Sequence, residues 1–314
     1  MTNTVDALTF RPATPGDQLL LDEWATTEPV AWVDRSRLHD ELTTRNYRHE
    51  WTWVAERSGE PVARALWWGS SSAERPVTLD CLLVAATEEH PDNVGAGLIR
   101  AALTSFGGNA GLEFNVDVAA DWRTNTAAVR ATAWRQRAAH EGGLTRTTER
   151  VSFARTSTDA LPMRPQRLRF TGGTDNELRE LFAAVAAGSL DAHTIDAVAK
   201  HGLDSFADDE LAFYLSLPGR RESWQIAALA DGTTVGFIIP TRTAYDASIS
   251  YLGVLPEYRG HGHVHELLSQ MVHVHHDDGQ DRIVGTTDAA NFPMRAAFEG
   301  AGFKVTRVRM VHAD

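Results

Sequence analysis

Two rhythms of apolar residues run along the chain, and the order in which they alternate occurs twice. Leu8-Thr9-Phe10-Arg11 alternates apolar with polar, as a half-buried strand does, and a polar turn and a helical stretch follow. Leu168-Arg169-Phe170 opens a second series in the same way. Next comes a hairpin pattern: WTWVAERSGEPVARALWW turns at Ser58-Gly59, and WQIAALADGTTVGFIIP turns at Asp231-Gly232. Asp-Gly between apolar runs favours a hairpin because both residues tolerate positive φ. A further strand is predicted over Val77–Val84 in the first series and over Ile249–Leu255 in the second. Each leads into a glycine-containing loop and a helix, then into another strand, Leu112–Val118 or Arg282–Thr287, and each series closes on helix and strand. The repetition reads as an internal duplication. It predicts an α+β fold built twice, each copy a mixed, mostly antiparallel central sheet flanked by helices.

Between the series runs RTSTDALPMRPQR, Arg155 to Arg167, which is polar, contains two prolines and follows neither rhythm. It reads as a linker, giving expected domains of 1–157 and 158–314. Two domains suit 314 residues. The apolar share, 43%, is that of an ordinary globular protein, and no apolar run is long enough for a transmembrane helix. The N-terminal MTNTVDALTF does not read as a secretory leader, and a cytoplasmic protein is the expectation. One cysteine, Cys81, excludes an intrachain disulfide and a cysteine-based zinc site. The net charge of -12 argues against a nucleic-acid partner and suits a cationic one such as an amine. The expected partners are a small-molecule amine and no membrane, with the chain a monomer or homodimer.

Most of the chemistry sits in ISYLGVLPEYRGHGHVHELLSQMVHVHH. The strand should stop at Pro256, which has no N–H to give a ladder. Val264, Leu267, Leu268, Met271 and Val272 then recur with helical spacing. Between them lie Arg259, Gly260, His261 and Gly262. A glycine turn opening a helix presents backbone N–H groups and the positive end of the helix dipole, which together suit a pyrophosphate. Arg259 can add charge-assisted bonds.

This segment resembles the acetyl-coenzyme A loop of the GCN5-related N-acetyltransferase (GNAT) family, whose pattern is (Q/R)-x-x-G-x-(G/A). Arg259 and Gly262 match it, and Val264 departs from it, standing where Gly or Ala is expected. In TDAANFPMRAAFEGAGFKV, Asn291, Gly302 and Phe303 match the family's asparagine after the fifth strand and its terminal Gly-aromatic pair. The resemblance implies two tandem domains of this family with acetyl-CoA as cosubstrate. It implies that Leu252, Gly253 and Val254 hold the pantetheine arm. Arg259, Gly260, His261, Gly262, His263 and Val264 would hold the pyrophosphate, and Asn291 would lie near the thioester. The implied reaction is acetyl transfer to an amine by direct attack through a tetrahedral intermediate. A protein lysine or N-terminal acetyltransferase and a non-catalytic acyl-CoA sensor are the alternatives.

In the first series, Gly95 and Gly97 keep a G-x-G, but Asp92 replaces the Arg or Gln, with Glu88 and Glu89 close by. Carboxylates repel a pyrophosphate, so this domain is expected to be degenerate. Eight of the nine tryptophans lie in this half, which favours an aromatic core and packing between domains over a substrate wall. In the second half Phe298 stands where the family commonly has a tyrosine acid. Tyr251 and Glu257 are therefore the catalytic candidates, as acid and as base through water; Tyr258 and Tyr245 are weaker. His273, His275, His276, Asp277 and Asp278 sit near a helix C-terminus, where histidines are favourable without a metal, and no metal site is expected. Asp191, Asp196, Asp204, Asp208, Asp209 and Glu210 form either a solvated helix face or an acidic rim for a cationic amine.

Overall fold

The computed structural model describes residues 7–24, 28–31, 33–243 and 245–314. Trp32 and most of the N-terminal segment read above for a leader lie outside them. Two compact units divide the chain: Met1–Glu149 with Arg307–Asp314, and Arg150–Thr306. The expected series of elements is present twice. The first runs β1 (Leu8–Pro12), α1 (Gln18–Glu23), α2 (Arg35–Thr43), β2 (Thr52–Arg57), β3 (Glu60–Trp68), β4 (Thr78–Val84), α3 (Pro91–Ser105), β5 (Glu113–Ala119), α4 (Thr126–Gly142) and β6 (Arg146–Thr156). The second runs β7 (Arg169–Thr171), α5 (Asp175–Ala186), α6 (Ala192–Ser216), β8 (Gln225–Ala228), β9 (Thr234–Arg242), β10 (Ala247–Val254), α7 (His263–Asp277), β11 (Arg282–Asp288), α8 (Phe292–Gly300) and β12 (Lys304–Ala313). No helix among the described residues is long and apolar enough to cross a membrane.

In the first unit the sheet runs β1-β2-β3-β4-β5, and Arg307–His312 of β12 pairs antiparallel with β5. Ser58 and Gly59 both take positive φ, 53° and 84°, so the β2–β3 hairpin turns with the twist its strands require. Trp51, Trp53 and Trp67 are core residues, with Phe106 edge-on to Trp53 and Trp67. The last strand is tied in by apolar and ionic contacts. Val308 and Met310 enter that core, and Arg309 grips Asp117 with two bonds of 2.8 Å.

In the second unit the sheet runs β6-β11-β10-β9-β8-β7, with Arg150–Thr156 of β6 antiparallel to β11. The final strand of each series therefore completes the sheet of the other series, which a contiguous division after residue 157 does not describe. Arg155 and Thr156 lie in β6 and not in the connection. The buried Arg155 donates to the carbonyls of Ala301, Asp159 and Ala160. One face of this sheet carries α5 and α6 over Phe182, Val185 and Phe237, and the other carries α7 and α8 over Leu267, Met271 and Phe298.

Two irregularities open the second sheet. Parallel pairing of β10 with β11 covers only Ala247–Ile249 against Ile283–Gly285, and the strands part beyond it. On the other side, the β10–β9 register shifts between Ile249 and Tyr251, a bulge at Ser250. β10 ends at Val254, two residues before Pro256, as the missing N–H requires.

Candidate functional site

The gap where β10 leaves β11 is the floor of a cavity of about 1130 Å³. Its walls come from α6, the start of α7 and the start of α8, all within the second unit. The backbone of β10 supplies the floor. Leu255 N–H bonds to Val235 O at 2.9 Å on β9. Backbone groups alternate in direction along a strand, so Gly253 also faces β9, while Leu252 and the Val254 N–H turn to the open side, Val254 O being taken by Arg259 Nε at 3.1 Å. Gly253 has to be glycine, because a Cβ there would stand 2.6 Å from the Val185 side chain.

At one end of the cavity lies the glycine turn. Gly260 and Gly262 have φ of 79° and 75°, and Gly262 is the N-cap of α7. A Cβ on Gly260 would meet no atom within 4 Å, so the turn is open on that side. The first N–H groups of α7 have no partner inside the helix. His263 lines the cavity, and its Nδ1 is buried with no hydrogen-bond partner. Burial, then the neighbouring Arg167, holds its pKa below the usual histidine value. Open glycines, free helix N–H groups and an unpartnered buried ring nitrogen fit a pyrophosphate-bearing ligand.

Arg259 lies beside this turn, but its side chain is engaged elsewhere. Nε donates to Val254 O at 3.1 Å, and the terminal nitrogens donate to Val185 O at 2.6 Å, Ala187 O at 3.0 Å and Gly188 O at 2.8 Å. A cation there satisfies the carbonyls at the C-terminal end of α5 and favours its dipole. Arg259 thus joins the end of β10 to the α5–α6 connection. The charge-assisted bonds expected for a phosphate are given to the protein's own backbone.

The other end of the cavity is acidic. α6 changes direction at Gly202, whose φ and ψ are 80° and 166°. After it, Phe206, Glu210, Phe213 and Tyr214 follow at helical spacing and all line the cavity. Tyr214 Oη donates to Ser250 O at 3.3 Å, which fixes this stretch over the bulge. Glu210 is half-buried, 4.0 Å from His193 Nε2, and burial pushes its carboxyl pKa up, with Asp191 and Asp209 adding to the rise. Asp288, buried at the end of β11, accepts the Ala192 N–H at 2.7 Å. Its carboxyl is also pushed up by burial, an effect that this bond opposes. Arg150 stands 3.5 Å from Asp288 and 3.8 Å from Asp191.

The cavity brings together Tyr251, Leu252, Gly253, Val254, Arg259, Gly260, Gly262, His263, Val264 and Asn291. Two expected residues are not in its lining. His261 is exposed, with its ring turned back to Arg259 O at 3.0 Å. Glu257 is exposed in the short 3-10 turn after β10, so nothing places this candidate base at the cleft. Tyr251 packs edge-on to Phe182 at 4.8 Å and stacks on Phe237 at 5.3 Å, and burial raises its pKa so that it stays protonated. Asn291 caps α8 by accepting the Met294 N–H at 3.3 Å. Phe298 is a core residue, stacked at 4.7 Å on Phe153 in space that Gly285 leaves.

The acidic run of α6 divides. Asp191, Asp209 and Glu210 line the cavity, while Asp204 and Asp208 pair with Arg179. His273 and His275 are buried against the carbonyls of Pro162 and Ser248. Among the described residues no group of His, Cys, Asp or Glu is placed to hold a metal ion. Glu210 was one of six carboxylates that the sequence left between a solvated face and an acidic rim, and Asp288, which ties β11 to the start of α6, did not stand out at all. The spacing 206, 210, 213, 214 was the available signal for Glu210.

In the first unit the matching features are closed. α3 already begins at Pro91, so Gly95 and Gly97 lie inside a helix. There Gly97 admits the Phe10 ring, which a Cβ would approach to 2.4 Å, and Gly95 lets the helix close on Ala138, which a Cβ would approach to 3.0 Å. Asp92 pairs with Arg137 at 2.6 Å. Beside β4, the buried Arg135 donates to Leu82 O at 3.0 Å and to Glu28 at 2.6 Å, occupying backbone that the second unit leaves open.

Residues 192–303 match the family model described as Acetyltransferase (GNAT) family. Among solved structures, a GCN5-related N-acetyltransferase from Sphaerobacter thermophilus is similar at 16% identity with a TM-score of 0.56, covering 98% of this chain and 95% of that one. A glucosamine N-acetyltransferase region of a fungal multi-domain GH3 β-N-acetylglucosaminidase is similar at 14% identity and a TM-score of 0.55, covering 98% of this chain and 38% of that one. At these identities the likeness is one of fold. No curated protein matches the sequence.

Proposed function

We propose that the second unit, whose residues 192–303 match the family model described as Acetyltransferase (GNAT) family, transfers an acetyl group from acetyl-CoA to the amine of a small molecule. One observation carries this reading: a single cavity joins an open glycine turn, an unpaired strand edge and a carboxylate-lined end. That order suits a ligand with a pyrophosphate at one end and a thioester in the middle, next to a cationic acceptor. Gly260, Gly262 and His263 would hold the pyrophosphate, and Leu252 and Val254 the pantetheine amides. Acetyl-CoA supplies the activated acyl group when bound.

The rest is work for this chain's side chains. An alkyl ammonium has a pKa of about 10 and must lose a proton before it can attack. Glu210 faces the cavity with a raised proton affinity, which suits a group that takes that proton. The amine nitrogen then bonds to the carbonyl carbon, and backbone N–H groups of the open strand stabilise the oxyanion. Collapse breaks the C–S bond, and the second proton on the nitrogen leaves to water, or to the tyrosinate if Tyr251 has protonated the sulfur, giving the neutral amide. Tyr251 keeps its hydroxyl proton and can give it to the leaving sulfur. A thiol pKa of about 8.5 also lets the thiolate leave unaided. Phe298, stacked in the core, has no part in the chemistry.

The test is thiol release from acetyl-CoA in the presence of primary amines, with the wild type beside Glu210→Gln. Amine-dependent release that falls by roughly 100-fold in the variant is expected for loss of a general base. Coenzyme binding with no release for any amine would favour the sensor reading instead.

A further inference from the structure

The acceptor end of the cavity has a chemical bias of its own, beyond its carboxylates. Leu190 and Phe213 are 56% and 53% exposed and both line it. Large apolar side chains left open at a cavity mouth gain by being covered. Phe206, buried, continues the same wall, one helical turn before Glu210. The carboxylates of Glu210, Asp191 and Asp209 line the same space, Asp191 already accepting the Thr194 N–H at 3.0 Å through Oδ1 and so leaving its other oxygen toward a cation. Of the arginines in the lining, Arg150 stands within 3.8 Å of Asp191 and Asp288, and Arg259 is held by four carbonyls. His193 faces Glu210, and His201 lies further along α6.

We infer that the acceptor is a primary amine on an aromatic or aliphatic body, its ammonium against Glu210 and Asp191 and its body against Leu190, Phe206 and Phe213. The inference rests on the transferase reading and narrows its substrate. A hydroxyl-rich amino sugar would set hydroxyls against apolar walls that cannot bond them. An amino acid would bring a further carboxylate beside Asp191, Asp209 and Glu210, where Arg150 already lies 3.5 Å from Asp288 and 3.8 Å from Asp191. The same apolar body without the carboxylate meets neither objection.

The experiment compares kcat/KM for 2-phenylethylamine, phenylalanine, glucosamine and a lysine-containing peptide, with acetyl-CoA binding measured separately by calorimetry. Expected is a preference for 2-phenylethylamine of at least about tenfold over each of the others. Phe213→Ser and Leu190→Ser should raise KM for 2-phenylethylamine several-fold and leave acetyl-CoA affinity unchanged. Both side chains are half-exposed, so folding should survive. Preference for glucosamine, phenylalanine or the peptide overturns the inference, as do variants that slow every amine alike. Acetyl-CoA binding with no turnover of 2-phenylethylamine also overturns it while sparing coenzyme binding. Absence of acetyl-CoA binding would sink the transferase reading itself.

Discussion

Arg259 matches a coenzyme-loop pattern, yet four backbone carbonyls surround its guanidinium. Pattern alone gives a residue type at a position and not the direction of the side chain. Arg259→Glu would put a carboxylate among those carbonyls, and a loss on the order of 3 kcal/mol is expected. Thermal denaturation checks it, and Arg259→Lys should recover part of the loss. Failure of Arg259→Glu to bind acetyl-CoA would therefore not prove a phosphate contact. Glu210 gives a prediction in pH. Its carboxyl is raised above the ordinary glutamate value, and only its ionised form can accept a proton. Activity should fall as pH drops through that raised pKa, and Glu210→Gln should abolish the inflection in a pH–rate profile. His312 carries a stability prediction. It is fully buried, and burial lowers its pKa from 6.5 to about 4. The unfolded chain binds the proton more readily, so stability is held above pH 6.5 and lost as pH falls toward 4, by on the order of 3 kcal/mol. His312→Phe should flatten that part of the melting temperature–pH curve.

At the scale of elements, the hairpins and α7 were legible in the sequence for stated reasons. Asp231-Gly232 and Ser58-Gly59 supply turn conformations, and Pro256 stops β10. The two G-x-G stretches are the instructive contrast, since they look alike and fold differently. Gly260 and Gly262 sit in a turn at positive φ. Gly95 and Gly97 lie inside α3, because Pro91 suits the first helical position and starts the helix early. Spacing cannot show that the second pair serves close packing against Phe10, Leu82 and Trp134. Gly97→Ala should cost about 1–3 kcal/mol through overpacking, seen as a lower melting temperature. An unchanged melt would mean the Phe10 ring moves aside freely. The carboxylates of α6 were equally hard to sort, since the turn at Gly202 decides which of them face the cavity.

For the whole molecule, the duplication was readable from the order of elements, but the exchange of final strands was not. Alternation tells which face of a strand is buried and not which sheet receives it. Residues 307–314 belong with the first unit, where Val308 and Met310 are core and Arg309 holds Asp117. A chain ending at Thr306 should lose several kcal/mol, comparable with the total stability of a domain at about 5–15 kcal/mol. Low soluble yield or a lost thermal transition is the expected outcome, and a truncated chain that melts like the intact one would contradict it. The central claim concerns the coenzyme, and calorimetric titration of acetyl-CoA into the intact chain, beside Gly260→Asp, tests it most directly. Aspartate tolerates the left-handed conformation of this position and has space there, so the variant should fold while setting a carboxylate against the pyrophosphate. One site per chain, lost in Gly260→Asp, is the predicted result; no binding by the intact chain, or equal binding by the variant, would contradict the account.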